Sequence, residues 1–168
     1  MKKRALAFLV AAAAAILLWP VRLLVLTDGD GQSVFMKRVS PGERYTVRFI
    51  HSVMRRPVDE VYEIAPNCSV LKETWFDMGG AGLPLDYMNP KLHFTFENNL
   101  YHITGYDMEL PDLVYRVNKV VADHTLLIGG RQYKMKQWTR PGGPIHFRVK
   151  RMPAARLIWF KLRQSVNL

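Results

Sequence analysis

His51 and Glu60 are the residues of this chain whose types and spacing point most directly to shared chemistry. They lie in Phe49-Ile50-His51-Ser52-Val53-Met54-Arg55-Arg56-Pro57-Val58-Asp59-Glu60-Val61-Tyr62, which reads as a strand, a basic turn and a second strand. Side chains two apart in a strand point the same way. Tyr45, Val47, Phe49 and His51 therefore share a face of the first arm, and Val58, Glu60, Tyr62 and Ile64 a face of the second. Pairing His51 with Val58, Phe49 with Glu60 and Val47 with Tyr62 makes His51 and Glu60 diagonal neighbours, about 7–8 Å apart at Cα. An imidazole and a carboxylate on an otherwise apolar face need each other or a ligand, because an unpaired buried charge is very costly. The pair marks a place rather than a reaction. Partner contact, a small-ligand or hydrolytic cleft and a buried fold-specifying pair all remain open.

Other reactive types lack the company they need. In a regular strand Ser52 points away from His51, and Cys68 has no histidine beside it in sequence, so neither is an activated nucleophile. The G-x-S-x-G elbow is absent. His93, His102, His124 and His146 fall in no HExxH, CxxC or His-x-His pattern, so no metal site and no cofactor are expected. Asp28-Gly29-Asp30-Gly31 has the chemistry of a tight turn and lacks the spacing and terminal Glu of a calcium loop. Met78-Gly79-Gly80-Ala81-Gly82-Leu83-Pro84 is the most glycine-dense stretch, without the Gly-Lys-Ser/Thr of a phosphate loop. It reads either as a crossing between sheets or as backbone open to close approach.

The elements that must position these residues are short alternating runs punctuated by Gly, Pro, Asn and Asp. Strands are expected over Leu23–Thr27, Ser33–Val39, Arg44–Ser52, Val58–Ala65, Val70–Phe76, Leu92–Phe96, Leu100–Gly105, Leu113–Val117, His124–Ile128, Gln132–Lys136 and Ile145–Lys150. About ten short strands with regular turn signals predict a mainly β chain, an antiparallel sandwich or barrel. The β-domain is expected over residues 23–152.

Both ends of the chain differ from it. Lys2-Lys3-Arg4 precedes an apolar run to Trp19, the pattern of a secretion signal. The most apolar part, Ile16–Trp19, follows the alanines, which favours an uncleaved signal anchor over residues 1–22 with its N-terminus inside. The run to Trp19 is short of the ~20 residues that span a bilayer comfortably, and continuing to Leu26 crosses Pro20 and Arg22. After Pro153, residues 153–168 read as a basic amphipathic helix, with Ala155, Ile158, Trp159, Leu162 and Val166 at helical spacing. Arg156, Trp159, Lys161 and Arg163 are its candidate membrane or partner contacts, with docking on the domain the competing role. With 24 Lys+Arg against 14 Asp+Glu the net charge is +10. The basic residues are scattered through strands and no nucleic-acid motif is present, so anionic surfaces are expected and nucleic acid is not.

His51-Ser52-Val53, Pro57-Val58-Asp59-Glu60-Val61-Tyr62 and Gly80-Ala81-Gly82-Leu83-Pro84 resemble a small bacterial family of unknown function. Its members are often encoded beside the fused permeases of TAXI-type TRAP transporters. Val25-Leu26-Thr27-Asp28 and His124-Thr125-Leu126-Leu127-Ile128-Gly129-Gly130 are similar as well. The likeness covers about Leu24 to Val149 and omits the C-terminal helix. It implies a periplasmic β-domain held on the cytoplasmic membrane by a single-pass anchor. It also implies an accessory or binding role, without catalysis, in solute uptake, with a TRAP permease or its solute-binding protein as partner. His51, Ser52, Pro57, Glu60, Tyr62, Gly80, Ala81, Gly82, Leu83 and Pro84 match its motif positions, and the resemblance makes them the expected contact residues.

Overall fold

A computed structural model describes residues 2–53, 55–77, 90–117 and 123–166. Helix α1 (Lys2–Leu18) leads into β1 (Pro20–Thr27), β2 (Ser33–Arg38), β3 (Arg44–Ile50), β4 (Pro57–Ile64) and β5 (Ser69–Phe76). Then come β6 (His93–Glu97), β7 (Leu100–Leu110), β8 (Leu113–Arg116), β9 (Thr125–Ile128), β10 (Arg131–Lys134), a 3-10 turn over Met135–Gln137, β11 (Pro144–Pro153) and α2 (Ala154–Val166). The strands form two antiparallel sheets, a four-stranded one in the order β2-β1-β11-β8 and a seven-stranded one in the order β10-β9-β3-β4-β5-β7-β6.

The two sheets face each other across the main apolar cluster, which makes the fold a sandwich, while Val58, Phe76 and Ile103 form a separate cluster on the larger sheet. Leu24, Leu26, Ile145, Phe147 and Val149 come from the smaller sheet, and Tyr45, Val47, Tyr62, Ile64, Leu126 and Ile128 from the larger. Alternation produces this directly, because the inward rows of β3, β4 and β11 are apolar except for Glu60 on β4 and Arg151 near the end of β11. β1 behaves differently. Its Leu23-Leu24-Val25-Leu26 run is buried without alternation, since α2 covers the outer face of the smaller sheet through Phe160. Gly129 and Gly130 turn β9 into β10, and Asn98 and Asn99 turn β6 into β7, all four with positive φ.

The β3–β4 register departs from expectation. Phe49 pairs with Val58, Val47 with Glu60 and Tyr45 with Tyr62, a slide of two residues. His51 lies beyond the end of β3, where its N–H donates to the Arg56 carbonyl (2.8 Å) and its carbonyl accepts from Arg55 N–H (2.9 Å). A slide of two keeps every side chain on its face, so the apolar pattern fits both registers equally. In the observed register the turn is closed with Arg55 in the left-handed region (φ 56°).

The N-terminal segment also needs correction. The helix ends at Leu18, and Pro20–Thr27 belong to the sandwich, so the apolar run to Leu26 is not one membrane segment. Among the described residues no helix is long and apolar enough to cross a membrane.

Candidate functional site

Glu60 shares the inward face of β4 with Val58, Tyr62 and Ile64, the one carboxylate in a row of buried groups. Its carboxylate is met from both sheets. Tyr62 on the same strand donates to Oε2 (2.8 Å), and Tyr115, on β8 of the opposite sheet, donates to the same oxygen. The two hydroxyls lie 2.5 Å apart. A half-buried carboxylate survives there because charged acceptors strengthen the bonds that replace water. Burial, and then the Glu60 charge, hold the Tyr62 and Tyr115 phenols far above their ordinary pKa. Both therefore remain O–H donors across the physiological range. Tyr45 is raised by burial as well, partly offset by its bond to Ser69 Oγ (2.7 Å). The arrangement sets one carboxylate among phenols that stay protonated, so that fixed donors from both sheets converge on one acceptor.

Around this centre the rings close in. Tyr45 stacks on Tyr62 (centroids 5.2 Å) and on Phe147 (5.9 Å), and Phe49 lies against Tyr115 (6.2 Å) and His124 (5.5 Å). His124, 5% exposed, also packs against Tyr115 (5.2 Å). In the observed register the diagonal neighbours of Glu60 on β3 are Tyr45 and Phe49, so His51 does not occupy the expected position beside it. The carboxylate's partners are phenols.

Of the expected contact residues, His51, Ser52 and Pro57 fall at one end of the sandwich, with Glu60 and Tyr62 further along β4. The turn after β3 carries His51 and exposed Ser52, with Val53 67% exposed at its tip and Pro57 opening β4. β5 ends beside the start of β4, with Phe76 opposite Val58, and the Arg56 guanidinium pairs with the Asp77 carboxylate. That ion pair ties the basic turn to the point where the chain enters residues 78–89. Gly80, Ala81, Gly82, Leu83 and Pro84 lie outside the described residues. β9 begins at Thr125 opposite Arg48, which brings His124 to the same end. Arg48 braces the neighbouring strand through Nε and Nη2 to both Asp59 oxygens (2.6 Å each). Three chain segments thus leave or enter at one end, over a floor made by Phe49, Glu60, Tyr62, Tyr115 and His124.

Arg156, Trp159, Lys161 and Arg163 are elsewhere, exposed on α2 against the outer face of the smaller sheet. Sequence reasoning missed Tyr115 and His124. Inward parity with buried Leu113 marks Tyr115 as core-facing, but nothing local says which strand it meets across the core. It also missed a carboxylate cluster on the outer face. There Glu73 accepts from Arg44 Nη1 (2.6 Å) and Trp75 Nε1 (3.3 Å) and pairs with His102 Nε2 (3.0 Å), whose ring stacks on Trp75 (3.5 Å). Asp123 accepts from Lys134 (2.8 Å), so the Asp-His step opens a strand and serves an ion pair. Burial pushes the Cys68 thiol up, which leaves it protonated and unreactive. Among the described residues no three His, Cys, Asp or Glu side chains are grouped to hold a metal ion.

No curated protein and no solved structure matches the chain. One family model does, the domain of unknown function DUF1850, over residues 45–135. Apart from Arg44 at the start of β3, that span holds the seven strands of the larger sheet together with β8, and so every described residue of the Glu60 floor. The match covers more than half of the 168 residues, and the chain belongs to the DUF1850 family.

Proposed function

We propose that this chain is a membrane-tethered, non-catalytic accessory protein of a solute uptake system, of the kind served by TAXI-type TRAP permeases. In this reading the sandwich lies on the periplasmic side of the cytoplasmic membrane. Its loop end holds the permease or its solute-binding protein. The observation that carries it is the convergence of the His51–Arg56 turn, the exit of β5 and the entry of β9 over the Glu60–Tyr62–Tyr115 floor. Loops gathered at one end of a rigid sandwich are a common form of recognition surface.

Helix α1 supplies the tether. From Ala5 to Leu18 it has no polar side chain, yet Leu6, Phe8, Leu9, Val10, Ile16 and Leu18 are exposed. Water is a poor solvent for such a helix. At 17 residues it is about 25 Å long, against a hydrocarbon core of about 30 Å, so it enters the bilayer without reaching fully across it unaided. Tethering raises the effective concentration near a membrane partner, so weak intrinsic affinity at the loop end suffices.

The test is affinity purification of the tagged full-length chain from native membranes in mild detergent, with Val53→Asp/Arg55→Glu as the variant. These side chains stand at the exposed turn, so the variant keeps its thermal midpoint. Wild type is expected to bring down a TRAP permease or its solute-binding protein, and the variant several-fold less. Wild type recovered without either component overturns the proposal. So does equal recovery with the variant, which would remove the loop end as the contact surface.

A further inference from the structure

We propose that α2 is an interfacial helix that lays its outer face on the anionic surface of the bilayer, and this rests on the tether assigned to α1. Phe160 and Leu157 pack α2 onto Leu23, Val25 and Met36 of the smaller sheet. At 3.6 residues per turn, Ile158, Leu162 and Val166 form one row on the opposite side, with Ala155 and Trp159 beside it. Together they occupy an arc of about 100° centred away from the sheet. Ile158, Trp159, Leu162 and Val166 are between 46% and 84% exposed, so the domain leaves this stripe uncovered.

The charges sit where an interfacial helix needs them. Arg156 and Arg163 flank the stripe on the Trp159 side and Lys161 on the Ile158 side, and α2 contains no acidic residue. Cations at the polar–apolar boundary extend to headgroups while their stems stay on apolar surface. The Arg163 guanidinium lies 5.5 Å from the Trp159 ring, which pairs a headgroup ligand with an interfacial aromatic. On that flank α2 overhangs a groove of about 470 Å³ against Gly31, Gln32, Ser33 and Met36, room for a phosphate group between Arg156 and Arg163.

Position supplies the second reason. Ala154 N–H donates to the Trp19 carbonyl (3.0 Å) and Pro20 pairs with Pro153, so α2 begins where α1 leaves the domain. A bilayer that takes up α1 is therefore within reach of α2. Gln164 donates to the Val34 carbonyl (3.3 Å), so α2 runs back along the sheet towards the β1–β2 turn. With α2 on the membrane the strands lie along its surface, and the loop end opens sideways towards neighbouring membrane proteins. A second copy of the chain fits the stripe poorly, because two such helices face to face bring six cations together with no acid between them.

The full-length chain would be placed in nanodiscs of phosphatidylcholine alone or with phosphatidylglycerol, each with brominated lipid as quencher. The Trp159 signal is the difference between wild type and Trp159→Phe. It is expected to be quenched in the anionic discs. In Arg156→Glu/Lys161→Glu/Arg163→Glu the ratio of docked to undocked helix should fall by about fivefold for each cation lost. Chain inside the discs with Trp159 unquenched overturns the inference and leaves the tether standing. Chain that does not enter the discs overturns both. Equal quenching in neutral discs and in the charge-reversed variant removes headgroup recognition. Protection of Trp159 only when two copies share a disc assigns the stripe to self-association and overturns the lipid assignment.

Discussion

Two glutamates on neighbouring strands show what the two faces of the larger sheet demand. Glu60 on β4 pairs with Thr74, and Glu73 on β5 pairs with Val61, so they occupy adjacent rows and opposite faces. Glu73 looks outward and gathers Arg44, His102 and Trp75. Glu60 looks inward and is met by two phenols, one from each sheet. Near water a carboxylate can be matched by flexible cations at little net gain. In the core the match must be made by stiff neutral donors fixed by packing, and their loss leaves a charge with nowhere to go. The inner carboxylate is thus a joint between the sheets, and the outer one is a surface network.

The largest effect should come from breaking that joint. Glu60→Ala leaves two buried hydroxyls without their acceptor and should cost about 3 kcal/mol, or a fall of about 10 °C in the thermal midpoint. Tyr115→Phe should cost about 1.5 kcal/mol. The sharper test is Glu60→Leu/Tyr62→Phe/Tyr115→Phe, which removes donors and acceptor together. It should recover most of the loss. A triple variant as unstable as Glu60→Ala would show that the carboxylate and its two donors are needed as such.

The outer network should show itself in acid. Burial opposes the Glu73 charge, but the bonds from His102, Trp75 and Arg44 prevail and hold its carboxyl below the usual range. A folded-state pKa lowered in this way adds stability above the ordinary carboxylate value of about 4.3, and that stability is lost as pH falls through the lowered one. Glu73→Gln should flatten the stability profile below about pH 4 and leave its shape at neutral pH unchanged. Urea midpoints taken from pH 7 to pH 3 would measure this. Parallel profiles for wild type and variant would remove Glu73 as an acid-sensitive group.

A smaller change is expected between these two regions. Tyr45→Phe removes only the bond to Ser69 Oγ and keeps the ring stacked on Tyr62 and Phe147. Its cost should be about 1 kcal/mol in thermal unfolding. A loss as large as that of Glu60→Ala would make the whole tyrosine set one cooperative unit.

Much of this architecture is legible in the sequence because alternation and turn chemistry act locally. Strands and turns fall within a few residues of expectation, and the apolar rows of β3, β4 and β11 are the inner rows. What alternation cannot encode is a slide by an even number of residues, which preserves both faces. The placement of His51 was lost for that reason, and with it the His51–Glu60 pair. The partner of Glu60 was hidden by another limit. Tyr115 is 55 residues away on the opposite sheet, and the Glu60–Tyr115 contact exists only once two sheets have been stacked. The α2 stripe, by contrast, needs only helical periodicity, and Ile158, Trp159, Leu162 and Val166 stand where the spacing places them.

The smallest expected effect, that of Arg55→Gly, lies at the turn that replaced the expected pair. Arg55 holds a left-handed backbone (φ 56°) in the turn closed by the bonds of His51 to Arg56 and Arg55. Such a conformation costs a non-glycine residue about 1 kcal/mol. Arg55→Gly removes that strain but gives the unfolded chain more freedom, and the two terms nearly cancel. Its midpoint should stay within about 0.5 kcal/mol of wild type. Arg55→Val, with a β-branched side chain that tolerates this region poorly, should lose about 2 kcal/mol. A variant with valine as stable as wild type would mean that the turn relaxes freely. His51 could then return to β3 by the two-residue slide, and the contrast between a fixed inner joint and a separate loop end would no longer hold.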